Sequence, residues 1–438
     1  MINRFHQCLL ALSAALLLSG QAVLRAADGP APSWPAPVVP KFADKTFIIT
    51  DFGAVADGKT DTKASIDKAI QAAVDAGGGV VRVPKGQFLF TPFSLKSHVN
   101  LHLDAGAVLL LANDIAAYPK NSKAYIDGIT AEDCTDIAIT GPGTIDGQGQ
   151  PWWEMYRKRN GVSPAGLTHR PQLIRFSKCT RLLIKDVTIT NSPNFGLIPG
   201  ACQDVIIENV TISAPDDSPH TDGIDPSGWN FRIAKCNISV GDDNIAIKPS
   251  GDSTGDKLSC ENFLIEDCTF GHGHGLSIGG QTRGGLRNLI ARNCTFTGSE
   301  CGVRMKSSRG QGALVENCFY DNLTMKDVRC PIFLTSYYPK VPVNVESDDA
   351  QPIDSRTPIW RNIQISNVTS TGSNEAGRIV GLPEQPFEDI VITNFKATSK
   401  TAFEVFHVKS IKFVNCDVTV EKGPKLKSGN ANVSGLQP

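Results

Sequence analysis

A short β-rich unit recurs along most of this chain and constrains its fold more than any other feature. Each copy is a run of strand-forming residues that ends in a polar residue, most often Asn or Asp, followed by a small or apolar residue. The copies begin at Asp186, Asn209, Lys235, Asp267, Asn293, Asn322 and Asn367. Successive starts differ by 23, 26, 32, 26, 29 and 45 residues, and fixed periods in this range indicate a solenoid. Because no helical pattern separates the strands, the repeat predicts an all-β fold, a parallel β-helix.

The repeat also sets the domain organisation. A chain of 438 residues could hold two or three domains, but continuous periodicity predicts a single β-helix domain over residues 45–420. Apolar residues at helical spacing within residues 62–76 predict a helix that caps the open N-terminal end of the solenoid. Residues 27–44, rich in Pro and Ala, form a leader, and residues 421–438, which lose the periodicity, form a C-terminal tail.

Residues 1–26 have the pattern of a secretory signal peptide, with Arg4 before an apolar run and small residues after it. The run is too short to span a membrane, and cleavage is expected after Ala22 or Ala26. Removal through Ala26 takes away two arginines and changes the formal net charge from −1 to −3. A mildly acidic protein is a poor partner for nucleic acid. We therefore expect a secreted or periplasmic protein, a monomer, with neither nucleic acid nor membrane as a partner.

Twelve cysteines are present, of which Cys8 lies in the signal peptide, and the remaining 11 are an odd number for an exported protein. Several occupy equivalent positions of the repeat. We expect most of them to be buried small side chains stacked in a ladder. Local disulfides between Cys260 and Cys268, or between Cys294 and Cys301, remain an alternative.

Four short motifs carry acidic, histidine and basic residues at spacings close to one coil. They are Asp222, the pair Asp242 and Asp243, His274, and the pair Arg304 and Lys306. The steps from Asp222 to Asp242, to His274 and to Arg304 are 20, 32 and 30 residues. Matching points of stacked coils lie about 4.8 Å apart. Three carboxylates, an imidazole and two cations should therefore share one patch.

The residue types in this patch fit cleavage of a glycosidic bond between acidic sugars. Such cleavage needs one protonated and one ionised carboxyl group, and crowding drives the titrations of neighbouring carboxyls apart. Asp242 and Asp243 are consecutive and would point to opposite faces of a regular strand, so we predict a bulge or a strand end there. Arg304 and Lys306 lie two residues apart on one face of a strand, where they suit the carboxylate of a uronic acid.

Longer segments around these residues resemble one family. The N-terminal segment Asp51-Phe52-Gly53-Ala54 with Gly77-Gly78-Gly79 is similar to the cap of pectin-acting β-helix enzymes. Thr221-Asp222-Gly223, Gly241-Asp242-Asp243, Gly273-His274-Gly275 and Arg304-Met305-Lys306 resemble the four signatures of glycoside hydrolase family 28, the polygalacturonases. The resemblance covers roughly residues 45–420. It implies a right-handed β-helix, no metal or other cofactor, and hydrolysis with inversion at the anomeric carbon.

The resemblance also implies roles. Asp242 would be the general acid, Asp222 and Asp243 would activate the water, and His274 would support protonation of the acid. Arg304 and Lys306 would bind a galacturonate carboxylate. His220 stands where the family usually has Asn, and we count it with the substrate-binding candidates. Met305 and Asn194-Phe195 also differ from the residues usual in the family, and these three departures leave the substrate subtype open.

Other residues have two interpretations each. Lys248 lies on the correct coil to bind substrate, and the alternative is an ordinary exposed lysine. Trp152, Trp153 and Tyr156 follow a Gly-rich segment that we interpret as a loop, and they would either form a wall that stacks on sugar or pack against the solenoid. Asp225, which precedes a proline, is interpreted as a turn former.

A metal site is not expected. His272 and His274 form an H-x-H pair whose side chains would share a face of a strand, as zinc ligands can. No convincing third ligand lies near them in the sequence.

Together these features predict a hydrolase of α-1,4-galacturonosidic linkages whose substrate is a pectic polysaccharide or oligogalacturonide. Hydrolysis of rhamnogalacturonan or xylogalacturonan is an alternative. From other classes, a β-helix polysaccharide lyase or a non-catalytic pectin-binding solenoid would also fit the fold. Whether cleavage is internal or terminal should depend on loops near residues 142–170 and 337–356.

Overall fold

The computed structural model describes residues 31–161, 169–249 and 260–437. The predicted signal peptide, residues 1–26, lies outside the described residues. Nearly all regular structure is β-strand, and neighbouring strands of successive coils pair in parallel. The fold is a right-handed parallel β-helix with an N-terminal capping helix, as predicted from the repeat and the resemblance. No helix in the described ranges has the length and hydropathy needed to cross a bilayer.

A helix covers the N-terminal end of the solenoid. Helix α1, Lys63–Asp75, follows the 3-10 helix Ile49–Phe52. It buries Ile66, Ala69 and Ile70 with two smaller residues, which removes the apolar end of the first coils from water. The strands here are β1 Thr46–Ile48, β2 Asp57–Asp61, β3 Gly79–Val83, β4 Gly86–Phe90, β5 Phe93–Ser94, β6 Val99–Leu103 and β7 Ala107–Leu111.

The middle coils carry the functional motifs. A second helix, α2 Gln150–Lys158, lies between β10 and β11. The strands are β8 Ile129–Glu132, β9 Thr135–Thr140, β10 Thr144–Asp146, β11 Ile174–Ser177, β12 Thr180–Lys185, β13 Thr188–Thr190, β14 Leu197–Gly200, β15 Cys202–Glu208, β16 Thr211–Ser213, β17 Gly228–Ala234, β18 Asn237–Ser239, β19 Ile245–Ile247, β20 Cys260–Glu266, β21 Thr269–Phe270 and β22 Leu276–Ile278.

The final coils have longer strands and a 3-10 helix, Val345–Ser347. The strands are β23 Leu286–Thr297, β24 Cys301–Lys306, β25 Leu314–Lys326, β26 Cys330–Thr335, β27 Ile359–Val380, β28 Glu388–Val414, β29 Asp417–Val420 and β30 Leu426–Ser434. Strand β30 pairs in parallel with β28. Residues 421–438, expected to be an aperiodic tail, therefore include a paired strand. The expectation overlooked this strand because its Gly, Ser and Asn residues weaken the alternating pattern, while pairing with β28 satisfies its backbone.

Columns of inward side chains form the core. Ile184, Ile207, Ile233 and Ile265 pair in register on four successive coils, and all four are fully buried. Burying one such side chain stabilises the fold by roughly 1.5–3 kcal/mol. In-register stacking keeps each coil fixed relative to the next, which a site built from several coils requires.

Asn and Asp side chains mark the turns of the repeat. Asn209 donates to Asp186 at 2.7 Å, and Asn322 donates to Asn293 at 2.8 Å. These residues have positive φ, between 52° and 65°, a backbone region that Asn and Asp tolerate better than most residues. The polar position of the repeat is therefore a hydrogen-bonded ladder.

The cysteines of the described chain are all unpaired, and ten of the 11 are buried. Cys236, for example, donates to the carbonyl oxygen of Ala234 at 3.4 Å and packs in the core cluster. Neither Cys260 with Cys268 nor Cys294 with Cys301 forms a disulfide. The prediction of a buried ladder is confirmed.

Candidate active site

The sequence motifs meet at the ends of short strands on adjacent coils. Ile224, just after Asp222, bridges β14 to β19, and β19, β22 and β24 are neighbours in one sheet. Asp242 and Asp243 lie between β18 and β19, His274 lies between β21 and β22, and Arg304 and Lys306 lie on β24. The strand end predicted at Asp242 and Asp243 is present, and it lets both carboxylates reach the same cluster.

Asp243 is the buried anion at the centre of the cluster. Its Oδ1 accepts from Ser277 at 2.7 Å and from Arg304 at 2.8 Å, and its Oδ2 accepts from Lys306 at 2.6 Å. Burial raises the pKa of Asp243, but Lys306, Lys248 and Arg304 outweigh burial and hold the pKa well below its usual range. Asp243 is therefore ionised, with its oxygens engaged by cations and a hydroxyl.

Asp242 faces His274 instead of the cations. His274 Nδ1 lies 3.0 Å from Asp242 Oδ1, and its Nε2 lies 3.3 Å from Glu300 Oε2. Burial raises the pKa of Asp242, but the contact with His274 opposes this effect and leaves the pKa below its usual value. Burial lowers the pKa of His274, and Asp242 more than offsets that, so the net pKa is raised. The contact therefore favours a proton on the imidazole of His274 over one on the carboxyl group of Asp242.

Asp222 is the third carboxylate and has the opposite electrostatic balance. Burial raises the pKa of Asp222 to about 6, against the lowering effect of Lys248. Lys248 Nζ lies 3.2 Å from Asp222 Oδ2, and its ammonium lies 5.5 Å from the centre of the Phe195 ring. Lys248 is therefore part of the charge cluster and not an ordinary surface lysine. The three carboxylates differ in environment, as acid and base pairs in glycosidases must.

Asp225, which we interpreted from the sequence as a turn former, does not lie in a turn. It is 4% exposed, its backbone N–H donates to Leu197 at 2.9 Å, and its Oδ2 lies 3.6 Å from Lys248 Nζ. The following proline favoured a turn, but pairing of this segment with β14 extends the chain and turns the carboxyl group inward.

The aromatic residues after β10 divide between two roles. They lie on helix α2, not on a loop, because the proline at the start of the helix favours its first turn. Trp152 and Trp153 are buried in the protein and offer no wall to a sugar. The Tyr156 hydroxyl lies 2.8 Å from His220 Nε2, and His220 Nδ1 lies 3.8 Å from Asp242 Oδ2. Tyr156 and His220 thus form one edge of the site.

A divalent cation fits this cluster poorly. One ligand atom each of Asp242, Asp243 and His274 lies within 4.8 Å of the others, but the oxygens of Asp243 already accept from Arg304 and Lys306. These cations would repel a metal ion. His272 does not complete a pair with His274, because its ring nitrogens contact Ser239 and the Ala214 carbonyl oxygen.

Two cavities border residues of the cluster, one at His274 and the other at Lys248. A cavity of about 350 Å³ is lined by His274, Glu300 and Arg329 among others. A larger cavity of about 970 Å³ is lined by Phe195, Lys248 and other residues. The concave surface beside both of these residues gives room for a ligand larger than a single sugar ring.

The sequence analysis did not identify Glu300, Asp225 or Ser277 as part of this site. Each contacts a recognised residue on another coil, so the contact depends on the stacking of coils. The only sequence signal is position: Ser277 follows His274 by three residues and Asp225 follows Asp222 by three.

A parallel β-helix with paired carboxylates in an open groove defines a class of carbohydrate-active enzymes. Residues 77–418 match the family model described as glycosyl hydrolases family 28. The chain belongs to this family and is a glycoside hydrolase.

Individual relatives are similar over most of the chain. A probable polygalacturonase of Vitis vinifera is 31% identical over 368 residues, 79% of this chain and 73% of that protein. An endo-polygalacturonase of Pectobacterium parmentieri is 32% identical over 377 residues, 81% and 88% of the two chains. Among solved structures, a hyperthermoactive exopolygalacturonase from Thermotoga maritima superposes with a TM-score of 0.76 and 27% identity, covering 88% of this chain and 94% of that one.

Proposed function

We propose that this protein hydrolyses α-1,4 linkages between galacturonate residues of pectic polysaccharides or oligogalacturonides, with inversion. The observation that carries the proposal is the placement of buried cations among three carboxylates in an open groove. Lys306 and Arg304 touch Asp243, and Lys248 touches Asp222. A neutral sugar would not need this arrangement, whereas a uronate brings its own negative charge. The activities named for the similar proteins agree with it.

Asp242 is the proposed general acid. It is the carboxylate that contacts no cationic lysine or arginine in the described chain, and it is partly exposed to the groove. In the free protein its proton resides on His274. A substrate carboxylate and the loss of water favour the neutral acid over the ion pair, so the proton moves from Nδ1 of His274 to Asp242 and then to the leaving oxygen.

Asp222 and Asp243 are the proposed activators of the water. The raised pKa of Asp222 makes it the stronger proton acceptor of the two. Asp243 is saturated by three donors, and it orients the water and the cations. Direct attack by this water on the anomeric carbon, from the face opposite Asp242, gives inversion.

Arg304, Lys306, Lys248 and His220 are the proposed substrate-binding residues. Within the described chain, Arg304 Nε is buried and has no hydrogen-bond partner. This nitrogen is closed to solvent, so a galacturonate carboxylate would instead accept from an outer nitrogen of the guanidinium fork, one of which already donates to Asp243. The guanidinium would then contact Asp243 through one nitrogen and substrate through another.

The test is the product formed from polygalacturonate after chelator treatment. New reducing ends without ultraviolet absorption are expected. Absorption by an unsaturated product would indicate a lyase, and binding without new ends would indicate a non-catalytic solenoid. A panel with rhamnogalacturonan and xylogalacturonan should show the highest kcat/KM on polygalacturonate, and a higher value on either other polymer would refute the substrate assignment.

Export and the monomeric state are part of the proposal. The N-terminal sequence supports secretion or delivery to the periplasm, where a polymeric cell-wall substrate is accessible. Fractionation of an expressing cell should find the activity outside the cytoplasm. Light scattering of the purified protein should give the mass of one chain, and a dimer mass would contradict the expectation.

A further inference from the structure

Lys248 is shared by two buried carboxyl groups, of which the mechanism above uses only one. Its Nζ lies 3.2 Å from Asp222 Oδ2 and 3.6 Å from Asp225 Oδ2. Both side chains are almost fully buried, at 4% and 3% exposure. Lys248 therefore lies between two carboxyl groups, hydrogen-bonded to Asp222 and within ion-pair distance of Asp225.

Asp225 lacks the hydrogen bonds that a buried carboxyl group usually makes. Within the described chain, neither of its oxygens has a hydrogen-bond partner, and both oxygens are buried. Burial and the charge of Asp222 raise the pKa of Asp225 well above its usual value. A buried polar group without partners costs stability, so the fold retains Asp225 at an energetic disadvantage. Such a residue is a candidate for a role in function.

The contacts of Lys248 suggest what that role is. Its ammonium faces the Phe195 ring, and both residues line the large cavity. Without Asp225, the flexible lysine stem could turn toward this cavity, because four methylenes allow many rotamers. The electrostatic support of Asp222 would then weaken. Asp225 stands where it prevents this movement.

We propose that Asp225 is a positioning residue that holds Lys248 against Asp222, so that Lys248 keeps Asp222 ionised and oriented as the acceptor of the water proton. The proposal rests on the proposed function, since it assigns Asp222 to water activation. Asp225 lines the large cavity beside Lys248, and neither of its oxygens has a hydrogen-bond partner in the described chain. It acts through one atom, the Nζ of Lys248.

The charged groups that face Asp222 define what a pH profile can report. They are Lys248, Asp242, Asp243 and Lys306, with Asp225 beyond Lys248. Lys248 and Lys306 lower the pKa of Asp222, and the carboxylates raise it. Displacing Lys248 should therefore move the acidic limb of the rate profile to higher pH. Substitutions at Asp225 should do the same only if they release Lys248.

The experiment is a double-mutant cycle on polygalacturonate hydrolysis across pH. Asp225→Ala should lower kcat about tenfold, as expected for a displaced catalytic group, change KM by less than about threefold, and move the acidic limb upward. Asp225→Asn keeps the shape and an acceptor oxygen for Lys248, and it should restore most of the rate. Lys248→Met should show the same limb shift. Asp225→Ala with Lys248→Met should be no slower than Lys248→Met alone, because the two act as one unit.

Asp217→Asn is the matched control. Asp217 lies on the same loop, its side chain is 80% exposed, and it pairs with Arg157, so the profile should not change. Additive losses in the double variant, or an unmoved limb in Asp225→Ala that retains the wild-type circular dichroism spectrum, would overturn the proposal. Failure of the proposed function is distinct, because the wild-type protein would then release no reducing ends from polygalacturonate.

Discussion

His274 Nδ1 lies 3.0 Å from Asp242 Oδ1, and this contact determines where the proton of the proposed general acid resides. The imidazole is positioned on its other side by Glu300. The contact lowers the pKa of Asp242 and raises that of His274, which favours a carboxylate at Asp242 beside a protonated imidazole in the free protein. In the proposed mechanism the pair would supply this proton to the leaving oxygen of the substrate.

Replacement of the acid tests this assignment directly. Asp242→Asn cannot donate a proton to the leaving oxygen, so kcat should fall by about 10²- to 10⁴-fold. Binding of an oligogalacturonide, measured by calorimetry, should stay within a few-fold of wild type. Asp217→Asn, with the same chemical change at an exposed site, should retain the full rate. Normal turnover by Asp242→Asn would refute the role.

The wild-type rate should depend on pH in a bell shape. Asp222 must be ionised to accept a proton, and its pKa is raised to about 6, so kcat/KM should rise as the pH increases through about 6. The rate should fall at higher pH as the Asp242 and His274 pair loses its proton, because the pKa of His274 is raised above its usual value. An acidic limb centred near pH 4 would contradict the assignment of Asp222.

Glu300 should tune the alkaline limb. Its carboxylate faces His274 and is held by Arg329 at 2.7 Å. In Glu300→Gln the negative charge beside the imidazole is lost, so the pKa of His274 should fall and the alkaline limb should move to lower pH. Glu375→Gln removes the other acidic partner of Arg329 but leaves His274 untouched. Equal shifts in both variants would show that the effect is not specific to Glu300.

The ion pair of Asp243 and Lys306 should be important for stability as well as activity. Both side chains are at most 4% exposed and their atoms lie 2.6 Å apart. Lys306→Met leaves a buried carboxylate with one cation fewer, which should reduce the free energy of unfolding by about 3 kcal/mol. Urea denaturation would measure it. Lys409→Met breaks an exposed pair with Glu388 and should cost less than about 1 kcal/mol.

The fold could be predicted from the sequence because each coil repeats the same local pattern. The polar turn residue and the inward apolar residue recur at every coil, as Asn209 and Ile207 illustrate. Stacking then follows from local rules with few alternatives. Strand β30 was missed because Leu426 is its only buried side chain and its half-buried positions include Gly429 and Ala431, which give a weak apolar signal.

The convergence of the four motifs could also be predicted, since it follows from coil length. The environment of individual groups could not. Asp222 and Asp225 are close in the sequence, but the groups that they contact are distant in it. The backbone of Asp225 bonds to β14, and both carboxyl groups contact Lys248 on the next coil. Burial and pairing across coils are tertiary properties, and single residues carry no signal for them. The helix that holds Trp152 was overlooked because glycines precede it.

The unpaired cysteines have a practical consequence. Ten of the 11 thiols of the described chain are buried, and none is joined to another. Folding of this solenoid therefore requires no oxidant and no isomerase to correct mispaired bridges. Active protein should be recoverable from a reducing cytosol, and treatment with dithiothreitol should leave its thermal denaturation unchanged.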